Sequence, residues 1–429
     1  MKDHYLRRLT VAGVALFLVW SVVSLGVAQA KAAGSVEDEG DALPRGQYIV
    51  VLKDAVPDAE VAEQELERAH GFKRRFVYRS AVKGFTAPLS KEALERVKRD
   101  PRVEFVSEDR IVTAVGKPNG SPAAQAPQTV PAGVRRVNAP ANSNKGAGIG
   151  VAVIDTGIYL THPDLAANII ANKNCLSSKK NGNDDNGHGT HVAGTIAALD
   201  NAVGVVGVAP QAKLLAVKVL NSQGSGTWSS VICGIDWVTQ NAARYNIKVA
   251  NMSLGGTGTS DSNCGATNGD ALHRAICRSR DAGVTYVVAA GNNAANSNSF
   301  VPAAYDDAVV TVSALADSNG APGGTGPATP NGPDDTFATF SNYGSVVDLG
   351  APGVNILSTW KGGTYATLSG TSMASPHAAG AVALYIKSHP GALWTSVRDA
   401  LRTAGEALGF GHTDPSGLHP EPVLQAGLL

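Results

Sequence analysis

The stretch Gly370-Thr-Ser-Met-Ala-Ser-Pro376, with the apolar run that follows it to Ser388, decides how this chain of 429 residues is interpreted. The run predicts a buried helix over residues 372–388 that begins at the serine. A helix N-terminus offers free backbone N–H groups and the positive end of the dipole, which stabilise negative charge. Pro376 is expected in the first turn, where donors are spare. Taken alone, Ser372 could equally be an ordinary helix N-cap.

Two further segments place a reactive side chain on a glycine-lined turn. Val153-Ile-Asp-Thr-Gly157 puts Asp155 at the end of an apolar strand, and Asn186-Gly-His-Gly-Thr-His191 puts His188 at the start of a helix. A serine becomes a nucleophile when a histidine takes its proton and a carboxylate orients that histidine. The three segments together indicate nucleophilic catalysis, although separately Asp155 could cap a turn and His188 could be a buried structural histidine.

Apolar runs and helical stretches alternate from residue 128 to the C-terminus. Uninterrupted apolar runs are typical of parallel strands that are buried on both faces. We predict strands at 150–154, 213–219, 284–288 and 309–312, and helices at 188–199, 228–243, 270–282 and 372–388. This pattern indicates an α/β fold, a doubly wound and mostly parallel sheet with helices on both faces. Residues 316–335, rich in Gly and Pro, are expected to form a flexible surface insertion.

In the order Asp155, His188, Ser372, the three motifs resemble the active-site signatures of subtilisin-like serine peptidases. The resemblance extends from about Gln128 to the C-terminus. It implies a serine endopeptidase that hydrolyses peptide bonds in proteins through an acyl-enzyme on Ser372. Tyr286-Val-Val-Ala-Ala-Gly-Asn292 resembles a fourth family motif, which implies that the Asn292 side chain donates a hydrogen bond to the oxyanion.

The resemblance also implies how a peptide substrate is held. Two segments resemble the family strands that pair with an extended peptide, and glycines there permit close backbone approach. The implied substrate-binding residues are Gly224, Ser225, Gly226, Ser253, Leu254, Gly255, Gly256, Ala289, Ala290 and Gly291, with Trp228 as an aromatic wall for a residue upstream of the cut. No acidic residue occurs in 253–258 or 289–305, so we expect an apolar residue before the cut. Trp228 could instead be a core residue.

A structural calcium ion is implied by the same resemblance. The matching ligands are the side chains of Gln128, Asp164 and Asn201 and the backbone carbonyls of Leu199, Val203 and Val205. Such hard oxygen donors suit calcium, although a merely solvated loop is the alternative. Asp184, Asp185, His188 and His191 do not have the spacing of the H-E-x-x-H zinc motif. We therefore expect no catalytic metal and no organic cofactor.

The region before residue 128 has a different composition. Residues 47–111 contain 25 charged residues in 65, against 36 in 304 for residues 126–429. Strands at 48–52 and 103–106, helices at 60–70 and 91–99, and two strand-like runs within 72–89 predict a small ferredoxin-like α+β domain. By resemblance this is a propeptide, residues 31–115, that assists folding and inhibits the enzyme. Residues 112–127 are expected to be an exposed linker, with the maturation site in 115–127 and the peptidase domain at 128–429.

The N-terminus has the pattern of a secretory signal. Lys2, Arg7 and Arg8 precede an almost wholly apolar run over 9–27, and Ala28-Gln29-Ala30 provides small residues for cleavage after Ala30. An uncleaved membrane anchor is the alternative. We expect a secreted, extracellular protein without a stable membrane anchor, which is self-processed from its precursor.

An exported chain with four cysteines suggests two disulfides. Cys264 and Cys277 flank a short segment and favour a local pair, which would leave Cys175 with Cys233, but three pairings are possible. Lys+Arg and Asp+Glu both number 36, so no net field favours nucleic acid. The expected partners are protein and peptide substrates and the protein's own propeptide, with the chain a monomer. The rival functions are a catalytically silent binding protein on the same fold and a processing protease selective for basic sites.

Overall fold

The computed structural model of the protein describes residues 46–114, 116–118 and 122–429, and the side chains of 117 and 118 are not described. The predicted signal segment, residues 1–30, lies outside the described residues. None of the described helices is long and apolar enough to cross a lipid bilayer. The strands are β1 (Gln47–Leu52), β2 (Phe76–Tyr78), β3 (Gly84–Pro88), β4 (Val103–Glu108), β5 (Ile111–Ala114), β6 (Lys117–Pro118), β7 (Gly150–Asp155), β8 (Ile169–Asn174), β9 (Lys213–Lys218), β10 (Ser225–Thr227), β11 (Ile247–Met252), β12 (Leu254–Thr257), β13 (Thr285–Ala289), β14 (Phe300–Val301), β15 (Val309–Ala316), β16 (Thr336–Phe337), β17 (Leu349–Pro352), β18 (Ile356–Trp360) and β19 (Thr364–Ser369). The helices are α1 (Ala59–His70), α2 (Lys91–Lys98), α3 (Ala132–Arg136), α4 (His188–Ala197), α5 (Trp228–Asn241), α6 (Ala271–Asp281), α7 (Thr371–Ser388) and α8 (Trp394–Ala404).

The N-terminal domain, residues 46–110, contains the predicted order of strand, helix, strand, strand, helix and strand. Its antiparallel sheet has the order β2-β3-β1-β4, which is that of a ferredoxin-like fold. Both helices begin at capping side chains, since Asp58 accepts from the Val61 N–H and Ser90 from the Ala93 N–H. Glu63 is fully buried between Arg74 and Arg79, with N–O distances of 2.8 Å to each guanidinium. Buried apolar side chains of the sheet and both helices form the domain's own core.

The central sheet of the large domain, residues 122–429, has the order β16-β15-β13-β11-β7-β9-β8, with β17 beside β15. Neighbouring strands are parallel except β16, which pairs antiparallel with β15. Alternate side chains of β7 enter two cores. Val151 and Val153 pack with residues of α4 and α7, whereas Ala152 and Ile154 pack with residues of α5 and α6. The predicted α/β sheet with helices on both faces is therefore confirmed.

The sequence analysis overlooked several elements. Strand β11 contains Lys248 and Asn251, and β8 contains Asn172 and Lys173, so neither reads as an apolar run. Both become strands because they pair with β7, β13 or β9 in the sheet. Pairing partners that are distant in sequence leave no local signal.

The segment that connects the two domains is exposed at residues 122–127, as the sequence predicts for the linker, but its residues 112–114 belong to strand β5. Strand β5 lies between β10 and β12 of the large domain and is antiparallel to both. The Ala114 N–H donates to the Gly224 carbonyl at 2.8 Å. Further along, β6 pairs with β19, and Ala123 bridges to Tyr365. The open edges of β10 and β12 provide main-chain partners for an extended segment, which overrides the loop composition.

Helix α5 is the main contact of the N-terminal domain on the large domain. The Asp236 carboxylate on α5 accepts the consecutive backbone N–H groups of Arg79, Ser80 and Ala81 at 2.6–3.2 Å. At the start of the same helix, Asp109 accepts from the Ser229 N–H at 2.9 Å and from its hydroxyl at 2.6 Å. The buried Asp109 and the partly buried Asp236 thus each accept hydrogen bonds from the other domain, so the two surfaces are chemically complementary.

Two features outside the sheet bear on the sequence predictions. The structure joins Cys175 to Cys233 and Cys264 to Cys277, which is the pairing that the spacing favours. The segment 316–335 lies at the surface, as predicted, since residues 321–330 are largely exposed, whereas the acids at its two ends are buried and accept backbone N–H groups of the segment itself.

Candidate active site

Strand β7 and helix α4 bring Asp155 and His188 together at the carboxyl edge of the sheet. Asp155 is the last residue of β7 and His188 is the first residue of α4. Nδ1 of His188 lies 2.8 Å and 3.0 Å from the two oxygens of the fully buried Asp155 carboxylate. A side chain at Gly189 would collide with the Gly157 carbonyl and press on Asp155, so a glycine is needed for this approach.

The charge on Asp155 governs the electrostatics of His188. Burial lowers the pKa of His188, but the Asp155 carboxylate outweighs burial and raises that pKa above its ordinary value. The pair therefore stabilises an imidazolium ion in a buried site, which a histidine that accepts a proton during a reaction requires. Within the part of the chain that the structure describes, Nε2 of His188 is buried and has no hydrogen-bond partner.

Helix α7 places Ser372 on its first turn, where the side chain is fully buried. Oγ of Ser372 donates to the Ser253 carbonyl at 3.0 Å and forms no hydrogen bond to His188 in this structure. Pro376 lies beyond the first turn, contrary to the expectation from sequence. In a regular helix the Ser372 carbonyl would bond the amide at position 376. Here it accepts from Oγ of Ser253 at 2.9 Å instead, so the proline leaves no carbonyl unsatisfied.

Asn292 follows β13 and meets the start of α7. Its amide oxygen accepts from both the backbone N–H and the hydroxyl of Thr371, each at 2.8 Å. These two bonds fix the orientation of the amide and leave its NH₂ group available to another acceptor. Asn292 also lines a cavity beside the helix N-terminus.

The cavity has a volume of about 540 Å³ and continues the cleft that β10 and β12 form. Of the residues predicted to bind substrate, Gly255, Gly256, Ala289, Ala290 and Gly291 line it. Gly224, Ser225 and Gly226 lie along β5 on the opposite side, and Leu254 pairs with Ala114. Ser253 lies under Ser372 instead, where its carbonyl holds the serine hydroxyl.

Trp228, the predicted aromatic wall, opens helix α5 and is 4% exposed. Its indole N–H donates to the Ile111 carbonyl at 3.3 Å, and the Arg110 guanidinium lies over the ring at 5.7 Å from its centre. Trp228 therefore contacts the strand in the cleft upstream of Ala114 and also packs in the buried core, so its role as an aromatic wall stays a prediction.

The chain shows two matches to known families. Residues 146–416 match the family described as the subtilase family. The protein belongs to this family. Residues 47–114 match the description peptidase inhibitor I9, the propeptide domain of such enzymes. The protein is thus a subtilisin-type serine protease with an N-terminal I9 propeptide.

Relatives resemble this subtilase over most of its length. An alkaline protease from Alkalihalobacillus alcalophilus is 39% identical over 363 residues, which cover 84% of this chain and 82% of the relative. Subtilisin E from Bacillus subtilis (strain 168) is 38% identical, and the alignment covers 87% of this chain and 89% of the relative. The crystal structure of a cold-adapted subtilisin-like serine proteinase aligns with a TM-score of 0.54 at 33% identity, over 66% of this chain and 91% of that one.

The predicted calcium ligands of the subtilase lie together on one side of the large domain. The fully buried Asp164 carboxylate accepts from the Asn201 amide at 2.9 Å and from the Val205 N–H at 2.9 Å. Gln128 accepts from the Asn201 N–H. The Leu199 N–H donates to the Asp164 carbonyl at 3.0 Å, and Val203 follows in the same loop. Burial raises the pKa of Asp164.

The two histidines of α4 do not form a metal site. Nε2 of His191 lies 2.9 Å from the Ile356 carbonyl and 3.1 Å from the Ala366 carbonyl, whereas His188 bonds Asp155. Burial lowers the pKa of His191 to about 3, so this histidine is neutral and structural.

Sequence reasoning missed the residues that hold the reactive groups in place. Buried Asp184 accepts from three backbone N–H groups of the turn before and into α4 at 2.9–3.0 Å and from the Thr190 hydroxyl at 2.6 Å. An Asp two residues before Asn-Gly is a turn signal that could have identified this role. A second set lies under Ser372, where Ser375 donates to Asn251, which donates to Ser253. These partners are far apart in sequence and carry no such signal.

The geometry of Asn292 gives a prediction for catalysis. Asn292→Ala should lower kcat about 10²–10³-fold with little change in KM, because the amide would bond the oxyanion only in the transition state; a loss of this size is known from a related subtilisin. Steady-state kinetics on a peptide substrate measure both constants. Exposed Asn298→Ala is the control and should match the wild type. A change confined to KM would show that Asn292 binds substrate only.

Proposed function

We propose that this subtilase is a secreted, broad-specificity endopeptidase that hydrolyses proteins through an acyl-enzyme on Ser372, with Asp155 and His188 as its partners. One observation carries the proposal. The protein's own strand β5 lies in the cleft between β10 and β12 as an extended peptide, and the chain reaches Gly116 beside the unpartnered histidine nitrogen. A methyl group added to Gly116 would lie 3.4 Å from Nε2 of His188.

The reaction follows from the groups at this point. Ser372 leaves the Ser253 carbonyl by rotation about its Cα–Cβ bond, and Nε2 of His188 takes its proton as Oγ attacks the carbonyl carbon of the substrate. The backbone N–H of Ser372 and the amide of Asn292 stabilise the oxyanion. The C–N bond then breaks and the leaving amine takes the proton from His188. Nε2 of His188 then takes a proton from water as the water oxygen attacks the ester carbonyl. The same nitrogen returns that proton to Oγ of Ser372 as the C–O bond breaks and the acid product leaves.

We infer that self-processing cuts the bond between residues 115 and 116, because the described residues before and after it lie along the cleft. Ala114 is hydrogen-bonded to Gly224 and Thr113 pairs with Gly255, so the chain up to 114 runs along the cleft as a substrate would before its cut. Gly116 lies next to His188 and to Met373 of α7. Residues 111–114 are thus the acyl side, and β6 pairs with β19 on the leaving side.

We predict that the mature enzyme begins at Gly116, which N-terminal sequencing of the wild-type product would establish. Purified Ser372→Ala precursor should keep residues 46–114 attached because its nucleophile is lost. A different mature N-terminus would refute the assigned bond, and maturation of purified Ser372→Ala on the wild-type schedule would refute self-processing. Correct cleavage in Ser396→Ala, which removes an exposed hydroxyl on α8, serves as the matched control.

The N-terminal domain inhibits the enzyme, in this proposal, because it holds its own C-terminal strand in the cleft. Asp236 of α5 accepts a hydrogen bond from the N-terminal domain, and Asp109 of that domain accepts one from the start of α5. Arg274 adds an ion pair with Glu104, with an N–O distance of 2.8 Å. Inhibition therefore depends on binding at a surface outside the cleft, which leaves the domain bound after its C-terminal bond is cut.

An apolar residue before the cut is favoured by the cavity next to Ser372. Among the described residues that line it, none is charged, and Ala289, Ala290, Val301, Ala303 and Phe340 form much of its wall. Such a cavity stabilises a large apolar side chain and gives a basic one no counter-charge.

A peptide library varied at the position before the cut should therefore yield products that end in large apolar residues, as measured by mass spectrometry. Ala303→Asp, which places a carboxylate in the wall, should increase cleavage after Arg and Lys relative to the wild type. Dominance of Arg or Lys with the wild-type enzyme would support the processing-protease alternative and contradict the assigned preference.

The candidate ligands around Asp164 would bind calcium. Its donors are oxygens of Gln128, Asp164 and Asn201 and the carbonyls of Leu199, Val203 and Val205, a hard donor set with one buried carboxylate. No cationic side chain bonds Asp164 among the described residues, so a bound cation would supply the missing charge. Its role is structural, since it would tie the chain after the maturation site to the loop at 199–205.

Calcium should raise the melting temperature of the mature enzyme because it binds only the folded state, and Asp164→Ala should remove most of that increase. Differential scanning calorimetry with calcium and with a chelator measures the effect. Exposed Asp281→Ala should respond to calcium as the wild type does. Equal melting temperatures in calcium and chelator for the wild type would rule out the cation.

A further inference from the structure

Three buried carboxylates lie at the base of the segment between β15 and β16. Asp317 directly follows β15, and Asp334 and Asp335 directly precede β16. Their exposed fractions are 3%, 5% and 1%. One oxygen from each lies within 4.8 Å of the others. The register of β15 with β16 produces this convergence, because Ala316 pairs with Thr336 and the acids on both sides are brought to one point.

The hydrogen bonds of the segment leave one of these oxygens without a partner. Asp317 accepts the Gly320 N–H at 2.9 Å through Oδ1, and both oxygens of Asp334 accept from groups of the loop. Asp335 accepts a backbone N–H through Oδ2. Oδ2 of Asp317 is buried and bonds nothing among the described residues. A buried carboxylate oxygen that no donor satisfies is costly, and it lies in a group of three acids.

Positive charge near the three acids is insufficient to balance them. Nε of Arg136 lies 2.6 Å from Asp335, with its side chain fully buried. The same guanidinium also binds Glu406 at 2.7 Å. One arginine thus serves two carboxylates, and neither Asp317 nor Asp334 has an ion-pair partner among the described residues. Uncompensated charge at this depth would destabilise the fold unless a cation joins it.

We propose that Asp317, Asp334 and Asp335 form a binding site for a divalent cation of the calcium type, separate from the set around Asp164. Three carboxylates from both ends of one loop provide the hard anionic oxygens that calcium requires, and the exposed middle of the loop gives access for water ligands. The cation fastens the two ends of the 317–335 loop to the edge of the sheet.

The loop that this cation fastens reaches the substrate cavity. Asn331, three residues before Asp334, lines the cavity that contains Asn292, and its carbonyl accepts the Thr339 N–H at 2.9 Å. Occupation of the site therefore holds one edge of the cavity in place. The cation would be structural and remote from the serine, yet it would act on the surface that contacts substrate.

Calcium titration of the Ser372→Ala precursor, which cannot digest itself, tests the site. After chelator treatment and dialysis, isothermal titration calorimetry should show that Asp317→Asn and Asp334→Asn each lose about one equivalent of bound Ca²⁺ relative to the parent. Asp399→Asn, an exposed acid on α8, should lose none. Asp164→Ala tests the other set, so its result and that of Asp317→Asn separate the two proposals.

Thermal melting gives a second readout that a merely structural Asp317 would not produce. In chelator Asp317→Asn should melt about 2–4 °C above the parent, because it removes an unpaired buried charge, whereas in calcium the order should reverse. The Asn side chain keeps an oxygen that can accept the Gly320 N–H, so the substitution does not remove the hydrogen bond of that turn. An unchanged calcium stoichiometry and an unchanged calcium-dependent rise in melting temperature would overturn the site.

If Asp317→Asn does not fold, the Ser372→Ala precursor itself provides the test of the cation site. Limited digestion with an added protease should cut within residues 318–333 in chelator and be strongly slowed there by Ca²⁺. Equal cutting of the loop with calcium and with chelator would overturn the proposal, and so would loss of a calcium equivalent in Asp399→Asn.

Discussion

The hydrogen bond between the buried Asp155 carboxylate and Nδ1 of His188 is the interaction around which the rest of the candidate site is arranged. A carboxylate without access to water is stable only if donors surround it, and the adjacent Thr156 N–H at 2.7 Å is a second donor. The helix that carries His188 must therefore approach the end of β7 closely. Gly189 permits that approach, and Asp184 fixes the turn from which the helix begins.

The same edge of the sheet also explains how the I9 propeptide would inhibit the enzyme in the proposed mechanism. The strands at the cleft have open main-chain groups, and the protein's own β5 satisfies them before any substrate arrives. Binding of the N-terminal domain to α5 through Asp236 adds affinity without using the cleft. An inhibitor that binds at two places would remain bound when one is cut, so the proposed cleavage and the activation would be separate steps.

Stability outside the sheet depends on pairing charges that the fold buries. Glu63 is neutralised by two arginines in the N-terminal domain, whereas Asp164 and the group at 317–335 have fewer positive partners than negative charges. The charge of Glu63 is balanced within the protein, whereas the carboxylates of the other two groups suit a cation from solution. Calcium would then hold the ends of these loops together, in a chain whose two disulfides cross-link other segments.

The sequence by itself determined the family, the order of elements in the N-terminal domain and the motifs of the candidate site. Asp155, His188 and Ser372 stand in short local patterns of strand end, glycine turn and helix start, and such patterns depend on neighbours within a few residues. Local pairing of Cys264 with Cys277 was favoured for the same reason.

Only the tertiary structure decided which distant groups meet. It made β8 and β11 into strands, placed residues 111–114 in the cleft, bonded Ser253 to the Ser372 carbonyl and gathered Asp317 with Asp334 and Asp335. Each of these depends on main-chain pairing or charge burial between residues far apart in the chain. Composition described the segments 112–127 and 316–335 as loops, because it records what a segment contains and not which open strand edge or buried partner it will satisfy.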